Sequence, residues 1–367
     1  MQPVKAGIVG CGVISEVYFK SLKERFRSVE VVCCADACAE KALARAAQFG
    51  VEATTVADML RNPAVEMVIN LTNPASHAEL TLEALGAGKH VYSEKPLALT
   101  LQDADRILAE ADRRGLSVGC APDTMLGSGI QTACAAIESG WIGRPLAAAA
   151  FWSSRGHERW HANPAFYYQP GGGPHLDMGP YYISALALML GGVRRVQAVS
   201  RRAYAERTFG AGPRRGERFP VETDTHFSAL LETAGGATVN LMLSFDVWAT
   251  SLPRLEVYGT GGTLSLPDPN TLEGQVRLYT PASGAFETLP LNNPFRQEVR
   301  GIGAAQMAVA LRTGGSYLAD GRLARHVLEV LFAIEEAART GAAVECKTTF
   351  DRRPPLPAGL TEAEWNL

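Results

Sequence analysis

An alternation of short apolar strands with amphipathic helices over the first 122 residues constrains the fold more than any other feature of this sequence. A buried strand at residues 4–10 is followed by a helical pattern at 15–25 and a second strand at 29–35. Further helices are predicted at 37–49, 75–86 and 101–114, and further strands at 67–71, 90–92 and 116–120. Strands that alternate with helices predict βαβ units and therefore a parallel sheet in an α/β domain.

A glycine fingerprint at residues 10–15 (Gly-Cys-Gly-Val-Ile-Ser) joins the first predicted strand to the first predicted helix. Gly10 permits a tight turn, and Gly12 lets the backbone approach a pyrophosphate at the helix N-terminus. Asp36 ends the second strand, where a carboxylate is expected to bind the adenosine ribose hydroxyls. The segment predicts a dinucleotide site; the alternative is a structural turn followed by an ordinary acidic loop residue.

The residue after this carboxylate bears on the choice of cofactor. Asp36 is followed by Ala37 rather than by an arginine. A carboxylate repels a 2′-phosphate, and no positive charge next to it in the sequence would compensate. We therefore expect NAD to be preferred over NADP.

The pattern changes after residue 122, which predicts a boundary between a domain at 1–122 and a domain at 123–367. A helix near 130–139 is followed by longer, alternating strands, which are typical of a sheet with one solvated face. These strands are predicted at 145–152, 193–201, 225–232, 237–245, 255–259 and 262–265, before a helix at 321–340. The second domain is therefore predicted to be α+β, with a large, mostly antiparallel sheet. The Gly-, Arg- and Pro-rich segment 204–220 is expected to be a mobile surface excursion.

Composition excludes several classes of partner. The net charge is −3, which does not favour nucleic acid as a ligand. No window of eighteen apolar residues predicts a membrane span, and no leader pattern is recognised, so we expect a cytoplasmic protein. The seven cysteines are irregularly spaced without a Cys-x-x-Cys pair, so no metal site is predicted.

Three further motifs complete a family pattern: Asn73-Pro74 with His77, Glu94-Lys95-Pro96, and three glycines at 171–173 that lead to residues 177–181 (Asp-Met-Gly-Pro-Tyr). Together with the fingerprint they make the chain resemble, over essentially its whole length, the glucose–fructose oxidoreductase, inositol dehydrogenase and rhizopine-catabolism (Gfo/Idh/MocA) family. The resemblance implies a Rossmann domain followed by an open-faced sheet through which dimers or tetramers form. It also implies NAD-dependent hydride transfer on a sugar, an inositol or a related polyhydroxylated cyclic substrate, interconverting alcohol and ketone.

By this resemblance, Lys95 is the catalytic lysine beside the nicotinamide and the reacting oxygen. Its ammonium can polarise a carbonyl, and burial lowers a lysine pKa toward a useful range. Glu94 corresponds to the family residue that contacts the nicotinamide ribose, and the segment from Thr72 to His77 lines the nicotinamide pocket. The predicted cofactor residues are Gly10, Gly12, Val13, Ile14, Asp36, Thr72, Asn73, Pro74, His77, Glu94 and Lys95.

One departure from the family pattern concerns the acid–base residue. Many family members have histidine where this chain has Tyr181. Other members of the family are similar to this chain in having tyrosine at this position. A nearby lysine would stabilise a phenolate. A helix over 174–190 would place Asp177 and Tyr181 on one face, with Tyr182 about 100° away. Asp177 could hold Lys95 or bind a substrate hydroxyl; alternatively Tyr181 merely packs, and Lys95 acts alone or through water.

Residues 157–161 (His-Glu-Arg-Trp-His) match the zincin motif, but Gly156 and the Asn163-Pro164 pair leave little room for a helix, and no third ligand is evident. Zinc proteolysis is therefore not expected. Polar and aromatic side chains do bind polyols well. The predicted substrate-binding residues are Arg155, His157, Trp160, His161, Asp177 and Tyr181, with Asp246 and Trp248 as a second candidate cluster. The alternative for each is a surface loop or core packing.

A non-catalytic Rossmann protein that binds NAD or a sugar and regulates another process is the competing hypothesis. The presence of both Lys95 and Tyr181 favours an enzyme, because a sensor needs no proton-transfer pair. We therefore predict an oxidoreductase.

Overall fold

The computed structural model describes residues 2–296 and 299–361. It divides into two compact units. The first comprises the described parts of Met1–Ser128, Asn292–Arg325 and Leu356–Leu367, and the second comprises Gly129–Leu291 and His326–Pro355. Sequence reasoning proposed a division at 122/123 and a continuous second domain; the packing instead assigns Asn292–Arg325 to the first unit.

The first unit contains a six-stranded parallel sheet with the order β3-β2-β1-β4-β5-β6, which confirms the predicted Rossmann architecture. Its strands are β1 (Val4–Val9), β2 (Val29–Ala35), β3 (Glu52–Ala53), β4 (Met67–Asn70), β5 (His90–Ser93) and β6 (Val118–Cys120). Its first five helices are α1 (Val13–Glu24), α2 (Ala39–Phe49), α3 (Val56–Arg61), α4 (His77–Gly86) and α5 (Leu101–Arg114).

Local sequence signals explain where these helices begin and end. The Thr100 side chain accepts a hydrogen bond from the Asp103 N–H and so caps α5, and Gly115 ends the same helix in the left-handed conformation. Gly10 turns the chain after β1 at φ +99°, and a Cβ there would lie 2.5 Å from the Leu71 carbonyl oxygen. Only glycine fits this turn without displacing backbone.

Nine strands form the sheet of the second unit, in the order β16-β15-β14-β13-β7-β12-β11-β8-β17. Among the described residues of this sheet, only β7 and β12 pair in parallel, so the predicted large and mostly antiparallel sheet is confirmed. The strands are β7 (Pro145–Ser153), β8 (Val193–Arg201), β11 (His226–Thr233), β12 (Thr238–Ser244), β13 (Leu255–Gly259), β14 (Thr263–Leu266), β15 (Arg277–Tyr279), β16 (Phe286–Thr288) and β17 (Val344–Glu345), and a separate ladder pairs β9 (Glu206–Thr208) with β10 (Arg218–Pro220).

The helices that follow in the chain are α6 (Ser128–Glu138), α7 (Pro174–Leu190), α8 (Ile302–Thr313) and α9 (Gly321–Thr340). Helix α7 packs on one face of the nine-stranded sheet, where a Cβ at Gly179 would lie 2.4 Å from a methyl carbon of Leu331 in α9. The opposite face of the sheet carries exposed side chains, among them Val199 and Leu230. The sheet thus has one covered and one uncovered face within its own chain.

Helix α8 belongs to the first unit, where it contacts β6, α1 and β2. The Asp123 carboxylate accepts hydrogen bonds from the N–H groups of Gly301 and Gly303 at 2.7 and 3.2 Å, at the start of this helix. Sequence reasoning did not predict α8, because its residues are small or apolar around most of the helix and show little amphipathic periodicity.

The segment 204–220, expected to be a mobile surface excursion, has mostly exposed residues but contains regular structure and a buried part. The segment forms the β9–β10 ladder, and Arg207, Phe209 and Phe219 in it are buried. Burial of an arginine is possible here because two carboxylates compensate its charge. Within residues 2–296 and 299–361, none of the helices has the length and apolarity that crossing a membrane requires.

Candidate active site

The glycine turn of the first unit leaves open space where a dinucleotide phosphate is expected. Gly12 caps α1, and a Cβ added there would meet no protein atom within 4 Å. The next residue, Val13, is 93% exposed although it is apolar and begins the helix. These features fit a bound dinucleotide: the space is open, backbone N–H groups lie at a helix N-terminus, and an apolar side chain is exposed.

Asp36 is held firmly at the end of β2. Its two carboxylate oxygens accept hydrogen bonds from the N–H of Cys11 at 2.7 Å and of Cys38 at 2.8 Å. The residue lines a cavity of about 950 Å³, together with Ala37 and Thr72. This cavity is large enough for a nucleoside, so the carboxylate is suitably placed to bind ribose hydroxyls.

The charge of the nearby Arg45 is already paired within the protein and is not available to a 2′-phosphate on the adenosine ribose. Its guanidinium donates to the Gly12 carbonyl at 3.3 Å, to Glu16 at 3.0 Å and to Gln48 at 2.6 Å. The hydrogen bond from Arg45 lowers the pKa of Glu16, which keeps that carboxylate charged. Arg45 therefore stabilises the glycine turn through its hydrogen bond to the Gly12 carbonyl.

The His77 side chain contacts two loops of the site, one that contains Thr72 and one that contains Pro96. Its Nδ1 lies 2.6 Å from the Pro96 carbonyl oxygen, and its Nε2 lies 3.0 Å from the Thr72 carbonyl oxygen. The side chain is buried, whereas Asn73 and Pro74 are exposed. Of the predicted pocket residues, His77 thus braces the loops, and Asn73 and Pro74 remain accessible to a ligand.

Glu94 is oriented by two donors at the end of β5. Its Oε1 accepts from the Tyr18 hydroxyl at 2.8 Å, and its Oε2 accepts from the Lys95 N–H at 3.0 Å. Burial raises the pKa of Tyr18 well above its usual value, so this phenol remains a protonated donor. Sequence reasoning missed Tyr18, because an apolar-face tyrosine on α1 gives no signal of a polar contact.

All the predicted cofactor residues therefore follow the carboxyl ends of β1, β2, β4 and β5, or begin the helix after β1. Ligands of open parallel sheets bind at this edge. The residues present fit a nicotinamide dinucleotide.

In the second unit, α7 carries Asp177 and Tyr181 one turn apart, as predicted. The Asp177 Oδ2 lies 2.8 Å from His157 Nε2, and both side chains are largely buried. Sequence reasoning gave Asp177 two possible partners and did not include His157 among them. Tyr182 is buried and its hydroxyl donates to Asp268 at 3.2 Å, so it faces away from Asp177 as expected.

The zincin-like segment does not form an α-helix. Residues His157–Arg159 make a single 3₁₀ turn, which cannot present two histidines on one helical face. His157 contacts Asp177, whereas His161 Nδ1 accepts from the Asn163 N–H at 3.0 Å. The two histidines of the motif therefore have separate partners.

Aromatic rings surround His157. Its ring lies 4.3 Å from Tyr167, 4.8 Å from Phe245 and 5.3 Å from Trp160, measured between ring centroids. Trp160 is 63% exposed and offers an open aromatic face beside the buried imidazole. This arrangement suits a sugar ring, whose C–H face packs on an aromatic ring.

A buried ion network lies next to this histidine. The Arg207 guanidinium donates to Glu158 at 2.8 Å and also to Asp246, and Asp246 accepts from the Thr225 hydroxyl at 2.6 Å. Glu158 also accepts from the Tyr168 hydroxyl. Asp246 was predicted as a substrate contact, but the structure engages it in this network.

Arg155 stacks between two aromatic rings. Its guanidinium carbon lies 4.8 Å from the Tyr204 ring centroid and 4.5 Å from that of Trp248. Trp248, also predicted as a substrate contact, is 72% exposed.

The sequence analysis did not identify Arg207 as part of this buried network, because it lies in a segment whose composition indicates only a loop.

Two models of one protein family match this chain. The model described as "Oxidoreductase family, NAD-binding Rossmann fold" matches residues 4–121, and the model of the GFO/IDH/MocA C-terminal domain matches residues 130–265. The two matches lie in the two units described above.

Among curated relatives, inositol 2-dehydrogenase of Salmonella paratyphi B is 35% identical over 115 residues, which are 30% of this chain and 34% of the relative. The chain therefore spans about a third of that relative in the alignment. Inositol 2-dehydrogenase 3 of Saccharopolyspora erythraea is 29% identical over 282 residues, 72% of this chain and 74% of the relative. A solved NAD-binding oxidoreductase from Klebsiella pneumoniae shares the fold, with a TM-score of 0.84 at 21% identity over 95% of this chain and 100% of that chain.

Proposed function

Because the chain belongs to the Gfo/Idh/MocA family of oxidoreductases, we propose that it transfers a hydride between NAD and a hydroxyl-bearing carbon of a sugar, an inositol or a related polyhydroxylated cyclic substrate. The observation that carries this proposal is the carboxyl edge of the parallel sheet, with its open glycine turn, anchored Asp36 and oriented Glu94. Two relatives named inositol 2-dehydrogenase support the substrate class.

In this proposal the first turn of α1 holds the pyrophosphate, Asp36 accepts from the adenosine ribose and Glu94 accepts from the nicotinamide ribose. Asn73 and Pro74 border the nicotinamide. When bound, the nicotinamide supplies the acceptor or donor of the hydride. The protein must then bind the substrate, exclude water and move one proton.

Lys95 and Tyr181 are the groups we assign to proton transfer and charge stabilisation. The Lys95 ammonium stabilises negative charge as it develops on the reacting oxygen, and it favours the ionised form of a neighbouring phenol. Tyr181 contacts the reacting hydroxyl, with Asp177 one turn away on α7. Arg155, Trp160 and His161 bind the rest of the polyol.

We further propose that NAD is preferred over NADP. The Asp36 carboxylate lines the adenosine cavity, and Ala37 beside it carries no charge. Arg45 is already engaged by Glu16 and the Gly12 carbonyl. A 2′-phosphate would therefore meet a carboxylate without a compensating cation.

The uncovered face of the nine-stranded sheet supports assembly into a homodimer or tetramer. A groove of about 600 Å³ on this face is lined by Phe151, Val199, Leu230 and Met242. Val199 and Leu230 are more than half exposed in the single chain. The polar side chains of Gln197, Ser228 and Asn240 also line this groove. Exposed apolar side chains on such a face are stabilised when a second copy covers them.

A panel of sugars, inositols and other polyols, each tested with NAD by the absorbance of NADH, examines the proposed activity directly. We expect turnover with at least one cyclic polyol and none in the Lys95→Ala variant. A protein that binds NADH tightly but reduces no NAD with any member of the panel would instead be a regulatory NAD-binding protein.

A further inference from the structure

We propose that the substrate is an anionic polyol, a sugar acid or a sugar phosphate, and that Arg155 and Arg159 bind its carboxylate or phosphate group. Both arginines lie in the second unit, beside the exposed ring of Trp248. Calling the bound anion the substrate rests on the proposed oxidoreductase function. The oxyanion site itself rests only on the charges and contacts of these side chains.

The Arg155 guanidinium is held in place without being neutralised. Its carbon lies 4.8 Å from the centroid of the Tyr204 ring and 4.5 Å from that of Trp248, so two aromatic contacts position it. Its Nε and Nη1 are buried, and neither has a hydrogen-bond partner within residues 2–296 and 299–361. Aromatic contacts recover only part of the free energy that a charge loses when it leaves water, so this group is stabilised by an added acceptor.

The two buried carboxylates of the adjoining ion network do not compensate Arg155. Glu158 accepts hydrogen bonds from Arg207 and from a buried tyrosine hydroxyl. Asp246 accepts hydrogen bonds from Arg207 and from a threonine hydroxyl. Both carboxylates are therefore engaged in holding Arg207, and the charges of Arg155 and Arg159 remain in excess.

Arg159 brings a second uncompensated charge to the same tryptophan. Its guanidinium carbon lies 5.6 Å from the Trp248 ring centroid, and its side chain is exposed. In the part of the chain that the structure describes, no carboxylate forms an ion pair with Arg155 or with Arg159. Two like charges beside one ring repel each other, whereas an oxyanion bound by both is attracted to each. Carboxylate and phosphate are the groups whose geometry a guanidinium matches.

The exposed aromatic rings beside these arginines suit the uncharged part of such a ligand. Trp248 and Trp160 are both largely exposed, and Trp160 follows Arg159 directly in the chain. An aromatic face packs on the C–H side of a sugar ring while a guanidinium binds its charged group. A neutral polyol would leave both guanidinium groups without a counter-charge, so these side chains favour an anionic ligand over a neutral one.

Matched ligand pairs test the charge requirement without turnover. The intact protein is titrated by calorimetry with uronates, aldonates and sugar phosphates, each beside its neutral parent. D-Glucuronate and D-glucose 6-phosphate, compared with D-glucose, form one such set. We expect at least one anion to bind about 10–100-fold more tightly than its neutral parent, as hydrogen bonds to charged groups imply. The carboxylates and phosphates of the panel show which oxyanion is preferred, and a panel without any preference for the anions would overturn the proposal.

The variant Arg155→Met removes the charge and keeps an unbranched apolar chain between the two rings. We expect the preferred anion to lose about 10–100-fold in affinity, while its neutral parent binds as it does to the wild type. Thermal stability should change little, because the wild-type guanidinium has no carboxylate partner to lose. Arg159→Met changes an exposed side chain, so folding does not depend on it, and it should also weaken binding of the anion alone.

Arg214→Met is the matched control. Arg214 also lies on an aromatic ring, 4.3 Å from the Phe209 centroid, but it is paired with Glu217 at 2.8 Å. The variant changes the net charge by the same amount, so it should keep the wild-type preference for the anion. Equal losses in Arg155→Met and Arg214→Met would mean a long-range charge effect and contradict the proposal, as would undiminished anion binding by Arg155→Met and Arg159→Met.

Binding and turnover together separate this proposal from the proposed function. If anionic polyols bind through Arg155 and none of them reduces NAD, the proposed function fails while the oxyanion site is confirmed. If a neutral polyol is oxidised with a kcat/KM at least as high as that of every anion, the proposed function stands and an anionic substrate is wrong.

Discussion

At the scale of single residues, the proposed site depends on a few polar contacts that sequence patterns only partly revealed. Gly12, Asp36 and Lys95 were proposed as site residues from the sequence, because each belongs to a motif whose spacing carries a physical reason. The contacts of Tyr18 with Glu94, 76 positions away, and of His157 with Asp177, 20 positions away, are encoded by no local pattern. Their significance could only be recognised once the fold had brought the partners together.

The charge at Asp36 is expected to set the cofactor preference. Asp36→Ala removes the repulsion of a 2′-phosphate and also removes the acceptor for the ribose hydroxyls. We expect NAD affinity to fall, NADP affinity to rise or stay constant, and the gap between them to narrow. Calorimetric titration of both cofactors measures this; equal affinities of the wild type for NAD and NADP would contradict it.

The hydroxyl of Tyr18 is expected to act on only one end of the cofactor. Tyr18→Phe removes the donor to Glu94 while keeping the buried ring, and losing a hydrogen bond to a charged group costs about 1.5–3 kcal/mol. We expect NADH binding to weaken while binding of ADP, which lacks both the nicotinamide and its ribose, is unchanged. Tyr92→Phe is the control, since the Tyr92 hydroxyl is buried and has no hydrogen-bond partner within the described part of the chain. An equal loss for both ligands would refute a specific role of Tyr18.

At the scale of elements, the sequence predicted those with clear periodicity and clear ends. The helix at Leu101–Arg114 and the strands at Val29–Ala35 and Val193–Arg201 match their predicted bounds, because caps and alternation mark them. Helix α8 and the β9–β10 ladder escaped prediction, since one is apolar around most of its circumference and the other depends on a buried ion network.

The glycine turn provides a matched pair of substitutions. A Cβ at Gly10 would collide with the Leu71 backbone at an unfavourable φ, whereas a Cβ at Gly12 meets open space. Gly10→Ala should therefore destabilise the protein, by about 1–3 kcal/mol or more. Gly12→Ala should keep its thermal stability but lose most NADH affinity. Normal NADH binding by folded Gly12→Ala would show that no phosphate approaches this turn.

The buried network around Arg207 is expected to dominate the stability of its region. Arg207→Met would leave Glu158 and Asp246 without their cation, and breaking a buried pair in this way typically costs about 3–5 kcal/mol. Arg214→Met, in the same segment but paired with Glu217 at the surface, should have little effect. Denaturant unfolding of both variants tests the difference, and similar stabilities would contradict it.

At the scale of the whole molecule, the uncovered sheet face predicts a homo-oligomer. Leu230→Glu places a charge in the middle of the exposed apolar face, where burial against a second copy would be costly. We expect the wild type to be a dimer or tetramer by light scattering and this variant to dissociate. A monomeric wild type at micromolar concentration would refute the assembly.

The central claim is hydride transfer between a polyol carbon and NAD, and isotope transfer tests it most directly. Cyclic polyols carrying deuterium on their hydroxyl-bearing carbons are incubated with the enzyme and NAD, and the reduced nicotinamide is analysed by mass spectrometry. We expect deuterium in the reduced cofactor with the wild type and none with Lys95→Ala. Bound cofactor that never acquires the label from any polyol in the panel would contradict the claim.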